Sequence, residues 1–187
     1  MSSPTPSKSR RRRISDHIFE MVLFAMFGAL MFSSKIIMEA LPNIHLLGMF
    51  VMLLTVVFRV RALIPIYLYV LAQGIYAGFA QWWIPYLYVW TVLWGMTMLI
   101  PKKIPAWLAA IVYPAVCALH GFAFGIIYAP GQALLYGFNF EQTLAWIASG
   151  FYFDILHGVS NIFTGTLILP LSELLKRLLK KSGRRLE

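Results

Sequence analysis

Asp154, His157 and Asn161 stand three and then four residues apart in the apolar run FDILHGVSN. On a helix of about 3.6 residues per turn that spacing puts a carboxylate, an imidazole and an amide on one face. Such a face can bind a polar solute, exchange a proton or hydrogen-bond a neighbouring helix. Among lipid chains each unpaired group is costly, so the stripe is expected to turn inward. A second set lies in LMFSSKIIMEALPNIHLLG, where Lys35 precedes Glu39 by four residues. Two readings of Lys35 stand. Its ammonium snorkels to the headgroups or pairs with Glu39, or it faces the interior and binds an anionic or carbonyl group of a ligand. His120, Gln73, Tyr76 and Asn43 are candidates for the same cavity. Trp82 and Trp83, with Tyr86 and Tyr88, are interfacial anchors or the cap of a ligand pocket.

The spacing of Asp154 and His157 also permits a metal ligand pair or an acid and base. No second histidine or carboxylate pair at metal-ligand spacing accompanies them, and neither HExxH nor Gly-x-Ser-x-Gly occurs. A binding site needs only convergent polar groups in an apolar pocket. The expectation is therefore a non-enzymatic binding protein with no metal and no cofactor.

The elements that position these residues follow from composition. The 187 residues are 60% hydrophobic, 16% aromatic and only 12% charged, where soluble domains carry about 25% charge. This is an all-α polytopic membrane protein. Six apolar runs, at about 17–40, 44–58, 62–80, 84–100, 105–129 and 142–172, approach the roughly 20 residues that cross a bilayer. The second is short enough to be tilted or partly re-entrant. They form one transmembrane domain, 17–178, between basic tails at 1–16 and 179–187.

Of the 16 Lys and Arg, all but Lys35 fall in alternate connections: Lys8 and Arg10 to Arg13, then Arg59 and Arg61, then Lys102 and Lys103, then 176–185. Cytoplasmic loops collect such residues, so both termini are expected in the cytoplasm. The net charge of +9 is dispersed over these groups instead of forming a patch with interleaved aromatics, so nucleic acid is not an expected partner. The basic start followed by apolar sequence reads as an uncleaved first helix, and Cys117 has no second cysteine to pair with. In FAMFGALMF, Ala25, Gly28 and Ala29 put small residues along one side of the first helix, where another helix can approach closely.

The first-helix AMFGA, the lysine followed by LPNIHLLGMF, the aromatic QWWIPYLYVW and the closing FDILHGVSNIFTGTLILPL together resemble the substrate-binding S components of energy-coupling factor (ECF) transporters. The resemblance covers nearly the whole chain. It implies a six-helix subunit of a bacterial plasma membrane that captures a vitamin or related micronutrient from outside. Such a subunit docks on a transmembrane coupling subunit and relies on two cytoplasmic ATPase subunits. It further implies that Ala25 and Ala29 meet the coupling subunit, and that Asn43 and residues 81–88 lie near the ligand. Asp154 and His157 are better placed for the ligand than Asn161, which stands deeper. Riboflavin, cobalamin, folate-like and pyrimidine ligands remain open. Two rivals also remain: an intramembrane enzyme using Asp154 and His157, and a structural assembly protein without ligand.

Overall fold

The computed structural model describes residues 8–41 and 43–182, with side chains from residue 15 onward. Pro42, Arg184 and Arg185 lie outside the described residues, as do the side chains of Lys8 and Arg10 to Arg13. Every regular element among the described residues is helical. They are α1 (Lys8–Ile37), α2 (Leu47–Phe58), a 3-10 turn (Arg59–Ala62), α3 (Leu63–Ala77), α4 (Trp83–Met98), α5 (Ala106–Phe122), α6 (Phe124–Tyr136), α7 (Phe140–Gly165) and α8 (Ile168–Lys181). Three helical stretches among the described residues are long and apolar enough, by length and composition, to cross a membrane: Ser15–Ile37, Leu47–Ala77 and Ala106–Tyr136. A fourth is added if Phe140–Gly165 and Ile168–Lys181, bent by 45°, are counted as one.

The contacts fix the direction of each segment. Arg61 pairs with Glu20 and the Phe32 ring meets Tyr76, so α1 and α3 run in the same sense. Trp83 Nε1 donates to the Val70 carbonyl and Tyr67 reaches Leu87, so α4 runs against α3. His45 meets Trp90 while Arg59 meets Met98, so α2 runs with α4 and therefore against α3. The stretch 47–77 thus reverses at its 3-10 turn. Asp154 faces Gly125 and Asn161 faces Cys117, which sets α7 against α5 and α6.

The reversal falls on Arg59, at φ 54° and ψ −120°, a corner that usually selects glycine. Arginine is held there by its side chain. Its guanidinium donates to the Met98 carbonyl at 2.8 Å and the Ile100 carbonyl at 3.5 Å, at the α4 C-terminus where helix carbonyls lack intrahelical donors. Trp94 Nε1 returns a hydrogen bond of 3.1 Å to the Arg59 carbonyl.

α2, LGMFVMLLTVVF, apolar but for Thr55, whose hydroxyl donates to the Val51 carbonyl, is buried along most of its length and packs against α4, α5, α7 and α8. A helix apolar all round belongs at the centre of a bundle, and there it lies. α1 is peripheral: Phe24 and Met31 turn into the core while Met21, Met26 and Leu30 stay exposed.

The fifth segment differs from its expected end at 129. Helix continues through Pro130 to Tyr136, with a break at Ala123. A proline inside a helix frees a carbonyl and disturbs the neighbouring amide. The Tyr88 hydroxyl supports the chain there, accepting from the Gly131 amide and donating to the Tyr128 carbonyl, each at 3.1 Å. Gly137, in the left-handed conformation at φ 67°, ends α6. Asn139 and Gln142 then form a reciprocal capping box that starts α7. The sixth segment is likewise two helices, because the chain bends between Gly165 and Ile168 and α8 carries the basic residues to Lys181.

Candidate functional site

The break between α5 and α6 faces the polar stripe of α7, and small residues allow the approach. A Cβ on Gly121 would stand 2.8 Å from Gly158 Cα, and one on Gly125 would run into Asp154 Oδ2. Without a Cβ, the Gly125 amide at the start of α6 is free to donate to Asp154 Oδ1 and Oδ2, both at 3.1 Å. First-turn amides have no intrahelical acceptor and the helix dipole favours negative charge beside them. Asp154 therefore closes the helix break.

Beside that carboxylate is a cavity of ≈ 440 Å³. Its rings are Phe124, Tyr128, Trp146 and Phe153, and its polar side chains are Asn43, Gln132 and Asp154. Tyr128 stacks on Trp146 at 5.8 Å and on Phe124 at 5.9 Å, so the wall is a continuous aromatic surface. The Tyr128 hydroxyl is fixed by a 2.7 Å hydrogen bond to the Trp82 carbonyl. The volume suits a small organic molecule, for which pockets of about 300–1,000 Å³ are usual.

One turn further along α7, three histidines from three elements meet. The His157 ring lies 4.7 Å from His45, 6.3 Å from His120 and 5.0 Å from Phe124. All three are buried. His120 Nε2 donates to the Val89 carbonyl at 3.1 Å, which leaves its buried Nδ1 without a partner. His45 Nδ1, His157 Nε2 and the indole Nε1 of neighbouring Trp90 are buried and unpartnered as well. Among the described residues, no group of three His, Cys, Asp or Glu side chains is arranged to hold a metal ion. Asn161, deepest on the stripe, spends its Nδ2 on the Cys117 carbonyl at 3.0 Å and holds α7 to α5.

The remaining candidates are dispersed. Lys35, in the last turn of α1, is half-buried. It lies within electrostatic reach of His45 and His157 but does not border the Asn43 and Asp154 cavity. No ion pair joins it to Glu39 among the described residues. Gln73 is buried with Oε1 unpartnered, and Tyr76 is exposed against Phe32. Trp82 and Trp83 border a separate groove with Phe79 and Tyr136. On α1, Ala25 and Ala29 are exposed, whereas Gly28 is buried against α3, where a Cβ would stand 2.9 Å from Leu68 Cβ.

Sequence reasoning missed His45, Trp90, Tyr128 and Trp146. The one available signal for His45 was an imidazole placed just before a helix without charged residues.

These features define an all-helical protein with membrane-spanning character and a small aromatic and polar cavity. No family model, curated protein or solved structure matches the chain.

Proposed function

We propose that the chain is a solute-binding membrane subunit of the ECF S-component kind, which captures a vitamin or related micronutrient from outside for ATP-driven uptake. The observation that carries this reading is the position of the cavity. Arg59, Arg61, Lys102 and Lys176 gather at one end of the bundle, around one groove, and the Asn43 and Asp154 cavity lies toward the other. With the basic end cytoplasmic, the cavity is turned to the outside.

The alternating direction of successive segments supports six spans with both termini in the cytoplasm. In this reading α5 with α6, and α7 with α8, each make one broken span. The exposed Ala25 and Ala29 offer a close-approach surface for a coupling subunit on the flank of α1, away from the cavity. Asn43 and Asp154 are the ligand contacts, with His157, His45 and His120 beneath them. Lys35 modulates the potential from the end of α1.

Native mass spectrometry of the detergent-purified chain against a vitamin panel tests this proposal, with calorimetry on each hit. One panel member is expected to bind with one-to-one stoichiometry. Absence of any bound solute, in protein that retains its helical circular dichroism, would overturn it. Turnover of a lipid or peptide by the purified chain would assign Asp154 and His157 to an enzyme instead.

A further inference from the structure

The polar lining of the cavity is unbalanced. The Asn43 and Gln132 amides each bring a donor and an acceptor, with Gln132 Oε1 buried and unpartnered, while the Asp154 carboxylate accepts only and no Lys or Arg borders the cavity. Asp154 is 5% exposed, and both of its hydrogen bonds come from one donor, the Gly125 amide. A carboxylate has about four lone-pair sites, so one shared amide leaves most of them open. No ion pair reaches Asp154 among the described residues. In a chain of net charge +9, the formally charged group in this cavity is an anion. Buried carboxylates require donors or cations. The walls are ring faces and edges, and faces attract cations and flat conjugated systems.

We infer that the cavity selects a flat, nitrogen-rich ligand that presents a cationic or multiple N–H edge, of amidine or aminoheterocycle type, to Asp154. The inference rests on the solute-binding reading above and narrows its substrate class. The ring of the ligand lies on Tyr128 and Trp146, and its donor edge meets Asp154 and Gln132. A carboxylate or phosphate directed at this edge would meet Asp154 with like charge and is disfavoured.

Three probes of one shape separate the possibilities: benzamidine, benzamide and benzoate carry a cationic, a neutral and an anionic group on the same ring. Titration into full-length protein in lipid nanodiscs is followed by tryptophan fluorescence and calorimetry. Benzamidine is expected to bind about 10- to 100-fold more tightly than benzamide, the range of a charge-assisted hydrogen bond, with benzoate weakest. Asp154→Asn, which keeps the shape and an acceptor for the Gly125 amide, should erase that preference. Equal or tighter binding of benzoate, or an unchanged preference in the variant, would overturn the inference. If the variant does not fold, the ranking on the wild-type chain decides. A chain that binds an anionic member of the vitamin panel and ignores benzamidine would refute this inference and leave the proposed function standing. A chain that binds nothing refutes both.

Discussion

Gly125→Ala is the sharpest test of the junction between α6 and α7. The added methyl runs into Asp154 Oδ2, so either the carboxylate leaves the Gly125 amide or the helices part. Loss of a hydrogen bond to a charged group costs about 1.5–3 kcal/mol. Overpacking a tight contact costs about 1–3 kcal/mol. Alanine in place of glycine returns at most about 1 kcal/mol of helix propensity. The net expectation is destabilisation by up to about 2 kcal/mol where one of these costs applies and up to about 5 kcal/mol where both do. Gly150→Ala is the matched control. Gly150 borders the same cavity, yet a Cβ there meets nothing within 4 Å. This variant should gain about 0.5–1 kcal/mol from propensity alone. Thermal unfolding of the detergent-solubilised chain, followed by fluorescence-detected size exclusion, should place the Gly125 variant several degrees below wild type and the Gly150 variant at or above it. Equal midpoints for Gly125→Ala and wild type would refute the contact between Gly125 and Asp154 as described.

Three further outcomes are expected. Asn161→Leu removes one hydrogen bond to Cys117 together with an unpartnered buried Oδ1, so stability should change by less than about 1 kcal/mol, in line with the modest net value of such bonds in membranes. Ligand affinity should also stay unchanged in calorimetry, and a large loss would extend the site down the stripe. Lys35→Met should reduce affinity less than Asp154→Asn does, because Lys35 does not border the cavity, and the reverse order would move the recognition site to α1. Replacing Ala25 and Ala29 with leucine should spare solute binding and abolish co-purification with a coupling subunit. Loss of solute binding as well would mean that this flank packs within the bundle.

Helicity and membrane-spanning character were legible because apolar runs are one-dimensional features. The inward turn of Asp154, His157 and Asn161 was legible for the same reason, since periodicity on one helix reports which residues share a face. Periodicity does not report which residue of another helix arrives opposite. His45 reaches His157 only because α2 runs beside α7, and Tyr128 joins Trp146 only because helix persists past Pro130. That persistence depends on the Tyr88 hydroxyl, contributed by α4, more than 40 residues away from Gly131 in sequence. Local rules favoured a loop after residue 129, and a tertiary hydrogen bond prevailed over them. Gly28 is the converse case. Its type placed it beside Ala25 and Ala29, while its angular position on α1 turns it into the α3 interface.

The stripe on α7 assigns a different task to each level. Asp154 to Asn161 spans seven residues, about 10 Å of helix rise. At the lower level Asn161 Nδ2 donates to the Cys117 carbonyl and holds two helices together, while Oδ1 is unpartnered. At the middle level His157 Nε2 has none, and the neighbouring rings are two further imidazoles, with the Trp90 indole against both of those. At the upper level Asp154 has one donor and borders open volume. Unmet hydrogen-bonding capacity is thus present at every level, in Asn161 Oδ1, His157 Nε2 and the spare lone pairs of Asp154, and of the three residues only Asp154 borders the open volume. A stripe serving only as helix glue would be satisfied along its whole length, since an unpaired buried group weakens the packing it is meant to secure. The unmet capacity at the top is the physical reason to place a solute there.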